Sequence, residues 1–163
     1  KAVDPLVINL DNNAVKLTDN KMSFDLDFNG KTEQISFVSK GSGFLALDLN
    51  NDGLINDGRE LFGPQSGDGF SELEKYDSDG NKWIDENDAV FSKLKIWMKD
   101  EAGEDMLYTL AEKGIGALYI GNVSTPFSLK NESNNLNGEI QKTGIFLKEN
   151  GTAGTIQHID LAV

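Results

Sequence analysis

The chain has 163 residues, with 27 acidic side chains against 15 basic ones and a formal net charge of −12. That balance argues against nucleic acid and anionic membranes as partners, and no apolar run approaches the roughly 18 residues of a membrane span. With no cysteine and a single histidine, His158, disulfides, thiolate metal sites and histidine-cluster zinc sites are excluded.

The N-terminal third reads as short strands over 6–10, 14–17, 22–26 and 34–38, separated by Asn, Asp and Gly. The run "GFLALDLNNDG" then enters an acidic loop directly from a strand. Phe70, Leu73 and Tyr76 stand at helical spacing, and "ENDAVFSKL" over 86–94 reads as a second short helix. "LKIWM" alternates like a strand. "YTLAEKGIGALYIG" reads as a helical turn stopped near Gly114, then a strand over 117–120. At the C-terminus "GEIQKTGIFLK", the turn "ENGTAG" and "TIQHIDLAV" predict a β-hairpin. The expectation is an α+β fold: a β-rich single domain over 1–163, with short helices flanking EF-hand-like calcium loops and a C-terminal β-hairpin. Because it opens abruptly at Lys1, the chain reads as a piece of a larger protein.

One pattern, D-x-[DN]-x-[DN], recurs. Calcium takes six to eight oxygens at about 2.3–2.6 Å. A tight turn brings side chains 1, 3 and 5 of such a loop onto one centre, the carbonyl at 7 adds a ligand, and Gly at 6 permits the bend. In "DLNNDGLINDGRE" the pattern predicts Asp48, Asn50, Asp52, the Leu54 carbonyl and Asn56 as ligands. The place of the closing acid holds Arg59, which offers no side-chain oxygen, so Glu60 would close the loop one residue late. In "DSDGNKWIDEND" the ligands are Asp77, Asp79, Asn81, the Trp83 carbonyl, Asp85 and Asp88, with Lys82 instead of Gly at the bend. In "DLDFNGKTE" they are Asp25, Asp27 and Asn29, between strands and without an obvious closing acid. "DEAGED" is too short. Magnesium suits these loops less well, since it wants a small octahedron and keeps its waters.

The charge is segregated to match. Residues 48–105 hold 16 of the 27 acids and 6 of the 15 bases, a balance of −10, which leaves 11 acids and 9 bases, or −2, elsewhere. A bound cation would relieve that repulsion. No Gly-x-Ser-x-Gly elbow and no dinucleotide glycine pattern is present. His158, in the last strand, reads as a surface or packing residue.

The stretches "DPLVINLD", "FDLDFNG", "GFLALDLNNDGLINDGRELFG", "GFSELEKYDSDGNKWIDENDAVFSKLKIWMKD" and "TLAEKGIGAL" occur in the order seen in a known family. Over residues 4–120 the chain resembles the self-processing module of RTX-type iron-regulated proteins, and Glu60 matches that family's own loop. The resemblance implies a secreted or cell-surface module in which Ca2+ triggers cleavage of an Asp-Pro bond, here Asp4–Pro5. It implies that the Asp4 carboxyl attacks its own main-chain carbonyl, that Pro5 leaves, and that water or a lysine on another chain opens the resulting anhydride. Two expectations follow: a self-cleaving calcium module without turnover, or a calcium-stabilised structural module without chemistry.

Overall fold

The computed structural model describes residues 4–11 and 13–163. Its centre is β1 (Leu6–Asn9), all four residues of which are buried. β1 lies antiparallel to β10 (Ala153–Leu161) on one side and β4 (Ser42–Leu47) on the other. Beyond β4 come β6 (Leu94–Lys99) and β7 (Asp105–Thr109). Beyond β10 come β9 (Leu136–Lys148), β8 (Ile115–Lys130) and β5 (Trp83–Asp85). The eight strands make one curled antiparallel half-barrel, and β2 (Leu17–Phe24) pairs with β3 (Glu33–Val38) as a separate hairpin.

Alternation explains why both faces are apolar. Leu6 and Ile8 of β1, Leu45 of β4, Ile96 of β6 and Ile156 of β10 join Phe70 and Leu73 in one core. Val7, Phe44, Ala46, Trp97 and Ile159, one residue out of step, join Phe24, Leu26, Ile35 and Phe37 of the β2–β3 region in a second. Each fully buried side chain of this size stabilises by roughly 1.5–3 kcal/mol. A strand such as β1, buried on both faces, therefore holds both layers together.

The α+β expectation is overturned. Among the described residues there is one α-helix, α1 (Gly69–Glu74), plus two 3-10 turns, Gly58–Glu60 and Ala111–Lys113. The helix read over 86–94 is a series of turns ending where β6 begins. Asp88 explains this. Its carboxylate accepts the backbone N–H groups of Ser78 and Asp85, so the segment folds back onto its loop and does not continue as a helix. Among the described residues no α-helix adjoins the other two loops: the Asp25 loop lies between β2 and β3, and the Asp48 loop runs from β4 into the 3-10 turn Gly58–Glu60. β9 and β10 pair as a hairpin, but β10 also pairs with β1, which makes it interior to the sheet.

Candidate functional site

The three acidic loops share one local construction. The carboxylate at position 1 accepts the N–H at position 6: Asp25 from Gly30 at 3.0 Å, Asp48 from Gly53 at 2.8 Å, Asp77 from Lys82 at 2.9 Å. The side chain at position 5 accepts the N–H at position 7: Asn29 from Lys31, Asp52 from Leu54, Asn81 from Trp83. Positions 4 and 6 are left-handed in all three, at Phe28 and Gly30, Asn51 and Gly53, Gly80 and Lys82. The Asp77 loop places a glycine at the first of these and Lys82, at φ 71°, at the second. A left-handed non-glycine residue costs roughly 1–2 kcal/mol, so that bend is strained.

Closure also follows one rule. Glu60 accepts the N–H of Leu49 through Oε2 and that of Asn56 through Oε1, both at 2.8 Å. Asp88 does the same for Ser78 and Asp85, at 2.8 and 3.0 Å. In each loop these donors stand at positions 2 and 9. The 3-10 turn Gly58–Glu60 absorbs the extra residue, so Glu60 arrives where a twelfth residue would. Arg59 points elsewhere: its guanidinium makes two 3.0 Å bonds to Asp57 and stacks 3.5 Å from the Phe28 ring centre in the neighbouring loop.

The Asp25 loop has a closing acid that its spacing hid. Glu33 accepts the position-2 N–H, from Leu26, at 3.0 Å. Position 9 is far earlier than a standard closure, which is why reading in sequence passes over it. Asp25, Asp27 and Glu33 bring carboxylate oxygens within 4.8 Å of one another and could hold a metal ion; Asp77, Asp79 and Asp88 do so too. The Asp48 loop carries Asn50 at position 3, and among the described residues it forms no such three-acid group.

Two oxygens in these loops are buried without a hydrogen-bond partner, Asp27 Oδ1 and Asp77 Oδ1. An orphaned buried oxygen is costly, and an all-oxygen donor set beside it fits a hard cation. The electrostatics agree. Burial and the neighbouring Asp77 and Asp88 push the Asp79 carboxyl upward, against the pull of the Asn81 N–H. Asp88 is held down by the N–H groups it accepts, which outweigh its burial. Asp52 is held down chiefly by the Leu54 N–H.

The second assembly lies at the edge of β1. Asp4 is buried, 6% exposed, and Pro5 is buried beside it. The register Leu6↔His158 continues outward, with the Ile159 N–H donating to the Pro5 carbonyl at 3.1 Å. Asp4 therefore meets β10 at His158 and Asp160. His158 Nε2 lies 3.1 Å from Asp4 Oδ2 and 3.4 Å from Asp160 Oδ1. The β9–β10 register slips between His158 and Ile159, bulging Gln141 out of the ladder, and Gln141 Nε2 donates to Asp160 Oδ2 at 3.0 Å. Asp4 Oδ1 and His158 Nδ1 are buried with no partner. Gly63, at φ +122°, packs so closely on the Asp4 carbonyl that a Cβ there would collide with its oxygen.

These charges tune one another. Burial would raise Asp4, but the His158 and Asp160 contacts and the charges of His158 and Lys142 bring it below its usual range. Burial would lower His158, but Asp4 and Asp160 raise it. Asp160 is pushed up to about 6 by burial and by Asp4. The three residues also offer ligand atoms within 4.8 Å of one another.

The two assemblies are joined by three residues of chain. After Glu60, Leu61 bridges to Ala46, the Phe62 carbonyl accepts the Leu6 N–H at 2.9 Å, and Gly63 meets Asp4.

The model of one family, the SPM domain, matches residues 6–162. The chain belongs to the SPM domain family. This SPM domain is also 30% identical, over 179 aligned residues, to "Iron-regulated protein FrpA" of Neisseria meningitidis serogroup C. The alignment covers 98% of the chain and 15% of that protein, so the chain spans less than a sixth of its relative. The link to iron-regulated proteins thus stands. The matched span begins at Leu6, immediately after Asp4–Pro5. Among the described residues, no helix of the SPM domain is long and apolar enough to cross a membrane.

The structure brings Asp4 and Pro5 together with His158, Asp160 and Gly63, and it separates them from the ligand sets of the loops. His158, read in sequence as a surface or packing residue, is buried against Asp4. Only strand pairing over more than 150 residues of chain makes that contact, and no local pattern announces it.

Proposed function

We propose that this chain is a calcium-ordered module that cleaves its own Asp4–Pro5 peptide bond. The observation that carries the reading is the short covalent path from Glu60, which closes the Asp48 loop, to Gly63, which packs on the Asp4 carbonyl. A loop that orders at Glu60 orders the cradle of that bond.

Asp25, Asp27, Glu33, Asp77, Asp79 and Asp88 would hold calcium, with Asn29 and Asn81 beside them; Asp48, Asn50, Asp52, Asn56 and Glu60 form the third loop. When bound, the ion supplies positive charge that relieves crowded carboxylates and favours the folded state. The chemistry belongs to Asp4. Its side-chain oxygen attacks its own main-chain carbonyl carbon, an intramolecular step favoured by proximity. The bond to the Pro5 nitrogen breaks, that nitrogen takes up a proton, and a cyclic anhydride remains. Water opens it to two carboxylic acids, or a lysine amine on another chain opens it to an amide and one acid. The similarity to an iron-regulated protein supports a secreted or surface setting, where millimolar calcium would suit sites of about 10⁻⁴–10⁻³ M affinity.

The test is intact mass and N-terminal sequencing of the chain carrying an upstream extension, incubated with calcium or chelator. A calcium-dependent fragment beginning at Pro5 is expected. The second reading, a structural calcium module, is favoured by the way the loops already satisfy much of themselves through backbone N–H groups. It predicts an intact chain that still binds calcium.

A further inference from the structure

Cleavage of a prolyl amide needs a proton on the departing nitrogen, since an amide anion is a very poor leaving group. A deliberate source for that proton is the question the Asp4 cluster answers. Asp4 presents two unlike oxygens. Oδ2 lies 3.1 Å from His158 Nε2, and Oδ1 is buried with no partner. The unpartnered oxygen is the freer nucleophile, because no hydrogen bond must break before it attacks. The other faces the exchangeable proton of His158.

We infer that His158 is the acid of the cleavage step: the proton on its Nε2, 3.1 Å from Asp4 Oδ2, passes to the Pro5 nitrogen while Asp4 Oδ1 attacks the Asp4 carbonyl carbon. This rests on the self-cleavage reading above and adds the residue that moves the proton. The steps balance. The Oδ1–C bond forms, the C–N bond breaks with its electron pair going to nitrogen, and the His158 proton ends on Pro5. Oδ2 remains as an anhydride carbonyl oxygen and His158 is left neutral. Water then adds to the anhydride and its surplus proton returns to His158. Asp160 is a positioning residue. It lies 3.4 Å from the same Nε2 that faces Asp4, and Gln141 donates to its other oxygen.

The charged groups around His158 are Asp4 and Asp160 in contact, Lys142 opposite it on β9, and Asp68, which lies 3.8 Å from Lys142. Acidic neighbours in contact favour the imidazolium, consistent with the upward shift of His158. The rate should therefore be highest where His158 is protonated and should fall as pH rises through its raised value.

The experiment is the first-order rate of Pro5 fragment formation in the full chain with an upstream extension, in saturating calcium, from pH 5 to 9. Wild type, His158→Gln and Asp160→Asn are compared, with dichroism to monitor the fold. The expected result has three parts. Wild type loses rate on the alkaline side, His158→Gln is slower by on the order of 10²-fold without that limb, and Asp160→Asn moves the limb to lower pH. A wild-type rate that is flat across the range, or a folded His158→Gln that matches wild type, would overturn the inference and leave self-cleavage standing. If His158→Gln does not fold, the wild-type profile and its displacement in Asp160→Asn decide alone. A wild-type chain that stays intact overturns the self-cleavage reading itself, a distinguishable failure.

Discussion

The acidic loops and the Asp4 cluster use the same side chain to opposite ends. In the loops, most carboxylate oxygens accept N–H groups only a few residues away in the chain, and about half of the named ligand residues are exposed. At Asp4 the oxygens are buried, one has no partner, and the other meets a histidine from the far end of the chain. A carboxylate satisfied by its own backbone shapes a turn and holds its remaining lone pairs ready for a cation. One that is buried beside an imidazole and a second carboxylate, as Asp4 is beside His158 and Asp160, is what the proposed cleavage requires. On the proposed reading, position relative to the backbone, and not residue type, would separate a ligand from a nucleophile.

The largest effect should come from the cluster. Asp4→Ala removes the attacking oxygen, so fragment formation should cease while calcium binding and the dichroism spectrum are kept. A Pro5 fragment from that variant would end the proposed chemistry. Next is the cradle. Gly63→Ala places a methyl group against the Asp4 carbonyl at a backbone angle that disfavours side chains. It should lower stability by at least about 2 kcal/mol in urea unfolding and slow cleavage; an unchanged midpoint would mean that Gly63 does not press on the bond.

The loops should respond more mildly. Glu60→Gln and Asp88→Asn should each weaken calcium binding by roughly 10–100-fold in calorimetric titration. Only Glu60→Gln should also slow cleavage at saturating calcium, because only Glu60 leads directly to Gly63. Equal slowing by both would separate the trigger from that path. The smallest change is expected from Glu33→Gln, about tenfold in the affinity of one site, with cleavage close to wild type. No change in any binding constant would leave Glu33 as a turn-capping residue alone.

Much of this construction was legible in order along the chain. The strand over 34–38 lies within β3, "LKIWM" lies within β6, and the Asx pattern marks all three loops. Those signals are local: alternation is a two-residue period, and an Asp that caps its own turn reaches only a few residues ahead. The helices were overestimated for the same reason. Spacing such as Phe70, Leu73 and Tyr76 is compatible with a helix, but Asn, Asp and Gly around it offer the backbone competing partners, and α1 stops after six residues.

The sequence by itself determined the acidic loops, the bends at their fourth and sixth positions and the place of the Asp-Pro bond, because these depend on neighbours within one loop. Tertiary structure alone decided that β10 would pair with β1 and bring His158 and Asp160 to Asp4. It alone decided that Gly63 would lie on the Asp4 carbonyl. Antiparallel pairing between distant strands is selected by burial of both sheet faces at once, and no window of sequence contains that sum.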